Sequence, residues 1–486
     1  MIAIEKLRAY AVVTMIAFLL ALCGCQGLGS NTSTSDSGAQ AINHIVFMAQ
    51  ENRSFDTYFG QLPAYWAANG FPSQPFDGLP TNASNPGYNG NPAVSAYHVQ
   101  TECIENLSPS WNESHLDWNL QDPSSSTATM DGFVFNAATF ALNQTPPYTD
   151  TLGVRAMGYY DWTDLNYYYF MASNFATSDR WFAPVLDRTQ VNRMYLFAAT
   201  SQGYAYPPGT NTADNAPLTA PTIFDALQQA GISWKIYYSD DTCSTLPGDA
   251  RGPRGAITKD ASASSGACTY LTQFANYAPP NQLPSNVVPV SQYLTDVQNG
   301  TLPAVAFIEA GYESGRDEHP SSGTNAQTGA AYASSLINAL MTSPSWKDSV
   351  FILTYDEPGG LYDHVPPQPA VSPDGIAPID LQPNDVCTAG NDQNGPNCNF
   401  NYTGFRLPLI VVSPFTKKNY VSHTVADYTA ILKLIETRFN LPSLTQRDAA
   451  QMDMTEFFDF QNVPWATPPS PPAQATGGVC DAQHLQ

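Results

Sequence analysis

The sequence predicts an α/β protein with a mostly parallel central sheet, flanking helices and long loop insertions. Two observations carry this. Five runs are continuously apolar rather than alternating through most of their length: "INHIVFMAQ" (42–50), "SWKIYY" (233–238), "AVAFIEA" (304–310), "SVFILTY" (349–355) and "LPLIVVS" (407–413). Strands covered on both faces read this way. Between them lie segments of helical period, and strands alternating with helices argue for a parallel sheet.

Each element follows from local chemistry. "TIFDALQQAG" ends at Gly231, a residue suited to the left-handed turn that closes a helix. "AYASSLINALM" leads toward the strand at Ser349. "ADYTAILKLIETRFNLP" places Ile431, Leu434, Ile435 and Phe439 on one face and stops before Pro442. Stretches rich in Pro, Gly and Asn at 72–96, 241–266 and 370–401 read as long excursions from a single domain at 41–460.

The ends differ in character. Lys6 and Arg8 precede an apolar run from Ala11 to Leu22, which is a secretory signal pattern. The "LCGC" that follows resembles a bacterial lipobox. Residues 1–25 are therefore expected to be a lipoprotein-type signal ending at a lipidated Cys25, with ordinary secretion as the alternative. Residues 26–40 are small and polar, a flexible tether, and 461–486 form a Pro-rich tail. The expected location is the cell envelope, anchored to a membrane through Cys25. Export permits disulfides. Losing Cys23 and lipidating Cys25 leaves six of the eight cysteines. Short loops favour Cys243–Cys268 and Cys387–Cys398, and elimination leaves Cys103–Cys480. A formal charge of −23 argues against a nucleic-acid partner.

Ligands of open α/β sheets collect beyond the carboxyl ends of the strands. Three such ends carry acids: Glu51-Asn52 after the first strand, Asp356-Glu357 after 349–355, and "RDEHP", with His319, after 304–310. Singly, each pair fits a solvated turn or a cap. Sharing one edge, they favour a metal. Oxygen donors suit calcium, magnesium or manganese, and His319 and His364 leave zinc or iron open. Gly359-Gly360 would let the chain turn tightly, so that His364 faces the same pocket. Thr189 opens a stretch of helical spacing. It reads either as a helix cap or as a nucleophile whose hydroxyl a neighbouring metal activates. Asn192 and Arg193 follow and could hold phosphate oxygens; Arg193 could equally form a buried ion pair.

"INHIVFMAQENRSFDTYFG", "DRTQVNRMYLFAAT", "DEHP", "TYDEPGGLYDHVPP" and "GFRLPLIVVSPF" occur in an order that resembles the phosphoesterase family of bacterial phospholipases C and acid phosphatases. The resemblance covers about Ala41 to Phe460. It implies an alkaline phosphatase-like fold. It also implies one divalent metal held by Glu51, Asn52, Asp356 and Glu357, with Thr189 as metal-bound nucleophile, and His319 and His364 as phosphate-binding or acid–base residues. The sequence departs from the family pattern at Val191, where Pro is usual, and at Pro358. It departs again at Pro109, where a His is usual; His115 is the candidate to replace it. The implied substrate is a phospholipid, or a small phosphate ester if the chain is of the acid phosphatase type. A non-catalytic carbohydrate binder is the alternative of another class, with Gly158–Phe170, "GYYDWTDLNYYYF", as its aromatic patch.

Overall fold

Eight strands form one sheet in the computed structural model, which describes residues 36–207, 216–240, 268–278, 281, 283–321, 324–388 and 395–486. In chain order they are β1 (His44–Gln50), β2 (Ala176–Ser178), β3 (Trp234–Tyr238), β4 (Val287–Pro289), β5 (Val305–Ile308), β6 (Ser349–Tyr355), β7 (Ile410–Val412) and β8 (Tyr420–Ser422). Their order across the sheet is β8-β2-β7-β6-β1-β5-β3-β4. Only β7 runs against its neighbours; every other pairing is parallel. The protein is thus a mixed α/β fold on a large, mostly parallel sheet. The signal, the lipobox with Cys23 and Cys25, most of the tether, and Cys243 lie outside the described residues.

Position in the sheet explains the apolar runs. β1 is central, and six of its seven residues are buried. β6 beside it is buried throughout. Phe47 meets Phe307 across the β1–β5 pair, ring centroids 4.9 Å apart. Each fully buried side chain of this size contributes roughly 1.5–3 kcal/mol of transfer free energy. β7 was expected among the strands, but its direction was not legible: an apolar run looks the same in either direction. β2, β4 and β8 were not foreseen. Each has three residues, too few to show a period.

Four helices matter below: α1 (Phe55–Phe59), α2 (Trp111–Trp118), α3 (Asn166–Asn174) and α4 (Thr189–Ala198). Among the described residues, the chain from β6 to β7 has no helix, only isolated bridges such as Pro369 with Tyr402. The Cys387–Cys398 disulfide lies within it. Cys103 pairs with Cys480. Besides that bond, the tail is fastened by Glu102 N to Val479 O (2.8 Å) and Gln100 N to Leu485 O (3.0 Å).

Candidate active site

Register places the acids. Gln50 of β1 lies opposite Tyr355 of β6, so Glu51 and Asp356 leave the sheet side by side. The two chains stay paired beyond the strands. Asn52 N donates to Asp356 Oδ1 (3.0 Å), Arg53 N to Glu357 O (3.1 Å) and Ser54 Oγ to Tyr362 O (2.7 Å). Gly359, at φ 72°, packs on Asn52; a Cβ there would stand 2.6 Å from Asn52 O. That contact is the physical need for glycine in the "EPGG" turn. The third acid-rich segment arrives at the same edge, since Glu51 N donates to Asp317 O at 2.9 Å.

Glu51, Asn52, Asp356 and Glu357 are each at most 2% exposed. Packing three carboxylates out of water is unfavourable without cations. One guanidinium answers part of this. Arg193 Nη2 donates to Glu51 Oε1 at 2.7 Å, and its Nε lies 3.4 Å from Asp356 Oδ2, ion-pair range without hydrogen-bond alignment. Its Nη1 lies 3.7 Å from Glu309 Oε2, and its charge faces the Tyr270 and Tyr312 rings at 4.8 and 5.3 Å. Burial and then the Glu51 charge push Asp356 up to about 7, against the pull of Arg193. Burial and the Asp356 charge hold Glu357 well above the usual carboxylate range. Asn52 Oδ1 and Asp356 Oδ2 have no hydrogen-bond partner among the described residues. Unsatisfied buried oxygens beside crowded carboxylates fit a divalent cation, and all of them are hard donors.

Thr189 joins this cluster from α4. Its Oγ1 lies 3.3 Å from Glu51 Oε2 and 3.5 Å from Glu357 Oε1. Arg188, not Thr189, occupies the cap position of α4, and Thr189 is the first helical residue. The capping alternative is therefore corrected: the hydroxyl faces carboxylates instead of accepting from the helix backbone. Asn192 is placed differently from its expected phosphate role. Its Nδ2 donates to Asp187 O (2.6 Å) and its Oδ1 accepts from Val185 N (3.2 Å), which ties down the loop that delivers Thr189. Arg193 is fully buried in its ion pairs, the second of the two readings open in the sequence.

The three histidines separate. His364 N and Nδ1 meet Asp56 Oδ2 at 2.8 and 2.7 Å, and its Nε2 meets Asp77 Oδ1 at 3.0 Å. Both ring nitrogens are thereby engaged by carboxylates. Burial lowers the His364 pKa, but the bond and charge of Asp56 outweigh it and the net shift is upward. Arg406 completes this cluster with a fork onto Asp363 (2.8 Å from Nη2) and a bond to Asp56 Oδ1 (3.0 Å). His319 follows the segment that touches Glu51, its Nδ1 lying 3.0 Å from Pro320 O. His115 is wholly buried on α2, stacked on Trp111 at 4.3 Å, with its ring nitrogens against the Trp111 and Asn397 carbonyls. Burial drives it down to about 4, against those two carbonyls. In this environment both ring nitrogens face backbone carbonyls and the ring packs in the core.

Comparison with known proteins decides the family. Residues 42–442 match the Phosphoesterase family. The chain belongs to the Phosphoesterase family. Phospholipase C B of Mycobacterium tuberculosis is 30% identical, the match covering 88% of this chain and 79% of the relative. Non-specific phospholipase C1 of Arabidopsis thaliana is 26% identical over 93% of this chain and 77% of its own. Among solved structures, murine ectonucleotide pyrophosphatase/phosphodiesterase 5 aligns with a TM-score of 0.34 at 11% identity, covering 61% of this chain and 95% of that one. That likeness is too slight to bear on chemistry. This phosphoesterase is a hydrolase acting on phosphoric ester bonds.

Most of the tyrosines in its aromatic stretch belong to the core. Tyr160, Tyr167, Tyr168 and Tyr169 are at most 1% exposed, and the last three pack inward on α3. The contacts of several site-shaping residues are not legible in the sequence. Glu318 is buried and accepts the hydroxyls of Tyr58 (2.8 Å), Tyr168 (2.5 Å) and Tyr355 (2.9 Å). Arg53 donates through two nitrogens to the Glu318 carbonyl. Arg406 had one sequence signal, a lone cation just ahead of an apolar strand.

Proposed function

We propose that this phosphoesterase is an exported, metal-dependent enzyme of the phospholipase C type that uses Thr189 as nucleophile. One observation carries the reading. The Thr189 hydroxyl meets Glu51 and Glu357 in a buried group that also holds Asn52 Oδ1 and Asp356 Oδ2, neither of which has a hydrogen-bond partner among the described residues. Glu51, Asn52, Asp356, Glu357 and Thr189 would hold one divalent ion. When bound, it would neutralise the carboxylates and lower the pKa of the threonine hydroxyl.

The chain's own residues supply the rest. Thr189 Oγ1 forms a bond to phosphorus as the bond to the leaving alkoxide breaks, and its proton passes to the adjacent Glu51 or Glu357. His319 and His364 are the candidates for protonating the leaving oxygen, and the bond and charge of Asp56 raise the His364 pKa. Water then hydrolyses the phosphothreonine and restores Thr189. Asn192 and Arg193 act as positioning residues, one for the nucleophile loop and the other for Glu51. The alkaline phosphatase-like assignment and lipid anchoring at Cys25 belong to the same reading, and the two disulfides accord with an oxidising compartment.

The test is hydrolysis of a choline phospholipid and of a chromogenic phosphomonoester, with and without chelator. Chelator-sensitive release of phosphocholine is expected. Cleavage of the phosphomonoester alone would place the enzyme with the acid phosphatases, and chelator-insensitive turnover would overturn metal dependence.

A further inference from the structure

Arg193 and Asn192 hold the site together through their own bonds, so neither is available to the phosphate of a substrate. Arg188 stands one residue before Thr189, at the cap position of α4, with extended backbone (φ −83°, ψ 174°). Its N–H donates to Asp187 Oδ1 (2.8 Å), and its carbonyl accepts from Asn192 N (3.1 Å) and Asn192 Nδ2 (3.4 Å). The backbone is fixed on both sides, so the side chain starts from a rigid anchor.

Exposure sets Arg188 apart. From Trp181 to Ser201 it is the one residue that is not buried. Solvent therefore enters the segment that carries Thr189 at the side chain next to the nucleophile. The chain leading into α2 packs on the "EPGG" turn of the same site, since a Cβ on Gly360 would stand 3.1 Å from Ser108 O. The Arg188 charge acts on Glu113 of α2 and on Glu357 ahead of that turn, opposing in both the upward push of burial. Glu357 Oε1 lies 3.5 Å from the Thr189 hydroxyl, so this charge is felt within the site.

Charge balance asks for such a cation. Glu51, Asp356 and Glu357 carry three negative charges when ionised, and Arg193 with one divalent ion offsets them. A phosphodiester arrives with one more, and burying it without a partner is unfavourable. We propose that Arg188 binds the substrate phosphate, its planar fork taking oxygens that do not leave. This rests on the reading of Thr189 as nucleophile. The guanidinium stays protonated throughout. It stabilises the charge that gathers on those oxygens and takes no part in proton transfer.

The experiment uses the full mature chain, with inorganic phosphate as the probe and a choline phospholipid and a chromogenic phosphomonoester as substrates. Phosphate should compete with both. Arg188→Gln and Arg188→Met should weaken that inhibition by about tenfold or more, the worth of one charge-assisted bond. They should lower kcat/KM for both substrates and leave the melting temperature near that of wild type. Arg188→Lys should recover part of kcat/KM, because it keeps the charge and loses the fork. An unchanged phosphate inhibition constant in either folded neutral variant overturns the inference, while phospholipid hydrolysis by the wild type leaves the proposed function standing. Should both neutral variants misfold, Arg188→Lys decides: phosphate inhibition as tight as in wild type overturns the fork. Turnover that survives Thr189→Ala removes the nucleophile reading instead, and phosphate inhibition of that turnover still tests Arg188.

Discussion

Arg193 Nη2 donates to Glu51 Oε1 at 2.7 Å, and both side chains are at most 2% exposed. This guanidinium, reaching from a helix to a strand end 142 positions away, holds the first acid of the site in place. Its removal leaves buried carboxylates without their cation. Arg193→Met should lower the stability of the chelated protein by about 3–5 kcal/mol, read from the urea midpoint. An unchanged midpoint would show that the pair contributes nothing net.

Asp356→Ala is expected to lose bound metal at the catalytic group and turnover together. Elemental analysis and phospholipid hydrolysis on one sample check this. A folded Asp356→Ala chain with full catalytic metal would remove Asp356 from the ligand set.

Thr189→Ala should reduce turnover by several orders of magnitude while shifting the melting temperature little, because the hydroxyl does not cap α4. Thr189→Ser should retain part of the activity, since it keeps the oxygen and loses only the methyl that stiffens χ1. Near-normal turnover in Thr189→Ala would send the search for the nucleophile to a bound water.

Glu436 supplies the pH prediction. Burial first, and then its neighbour Asp448, raise it to about 9. Its carboxyl accepts from Ser443 Oγ at 2.7 Å and from Leu444 N at 3.3 Å. A carboxyl whose folded pKa is raised binds its proton more tightly in the folded chain. The stability it contributes is full below the unfolded value near 4.5 and is lost as pH rises toward about 9. Glu436→Gln should therefore melt higher than wild type at pH 8 and equal to it near pH 4.5. Parallel melting curves across that range would refute the shift.

Cys480→Ser should free the strap that ends the chain. The bond spans 377 positions, and loss of a long-range disulfide costs about 2–5 kcal/mol. Thermolysin should cut the tail faster in the variant, as followed by mass spectrometry, with phospholipid hydrolysis retained. Equal cleavage rates would mean that Val479, Gln474 and Leu485 hold the strap without the disulfide.

The sequence by itself determined the strand cores and the acids at their ends. β1 and β6 are long, buried and continuously apolar through their middles, so their composition reveals them, and Glu51 and Asp356 are simply the next residues in line. Cysteine spacing likewise pointed to Cys387–Cys398. Tertiary structure alone decided what each polar side chain touches. The direction of β7, the ion pairs of Arg193 and Arg406, the tie from Asn192 to its own loop and the sealing of His115 against Trp111 all depend on how the chain packs. Except for Asn192, which bonds to near neighbours, these contacts include residues tens to hundreds of positions apart, and only the packing of strands, helices and loops brings them together. The identity of a histidine, arginine or asparagine states which bonds it can make, and packing chooses among them.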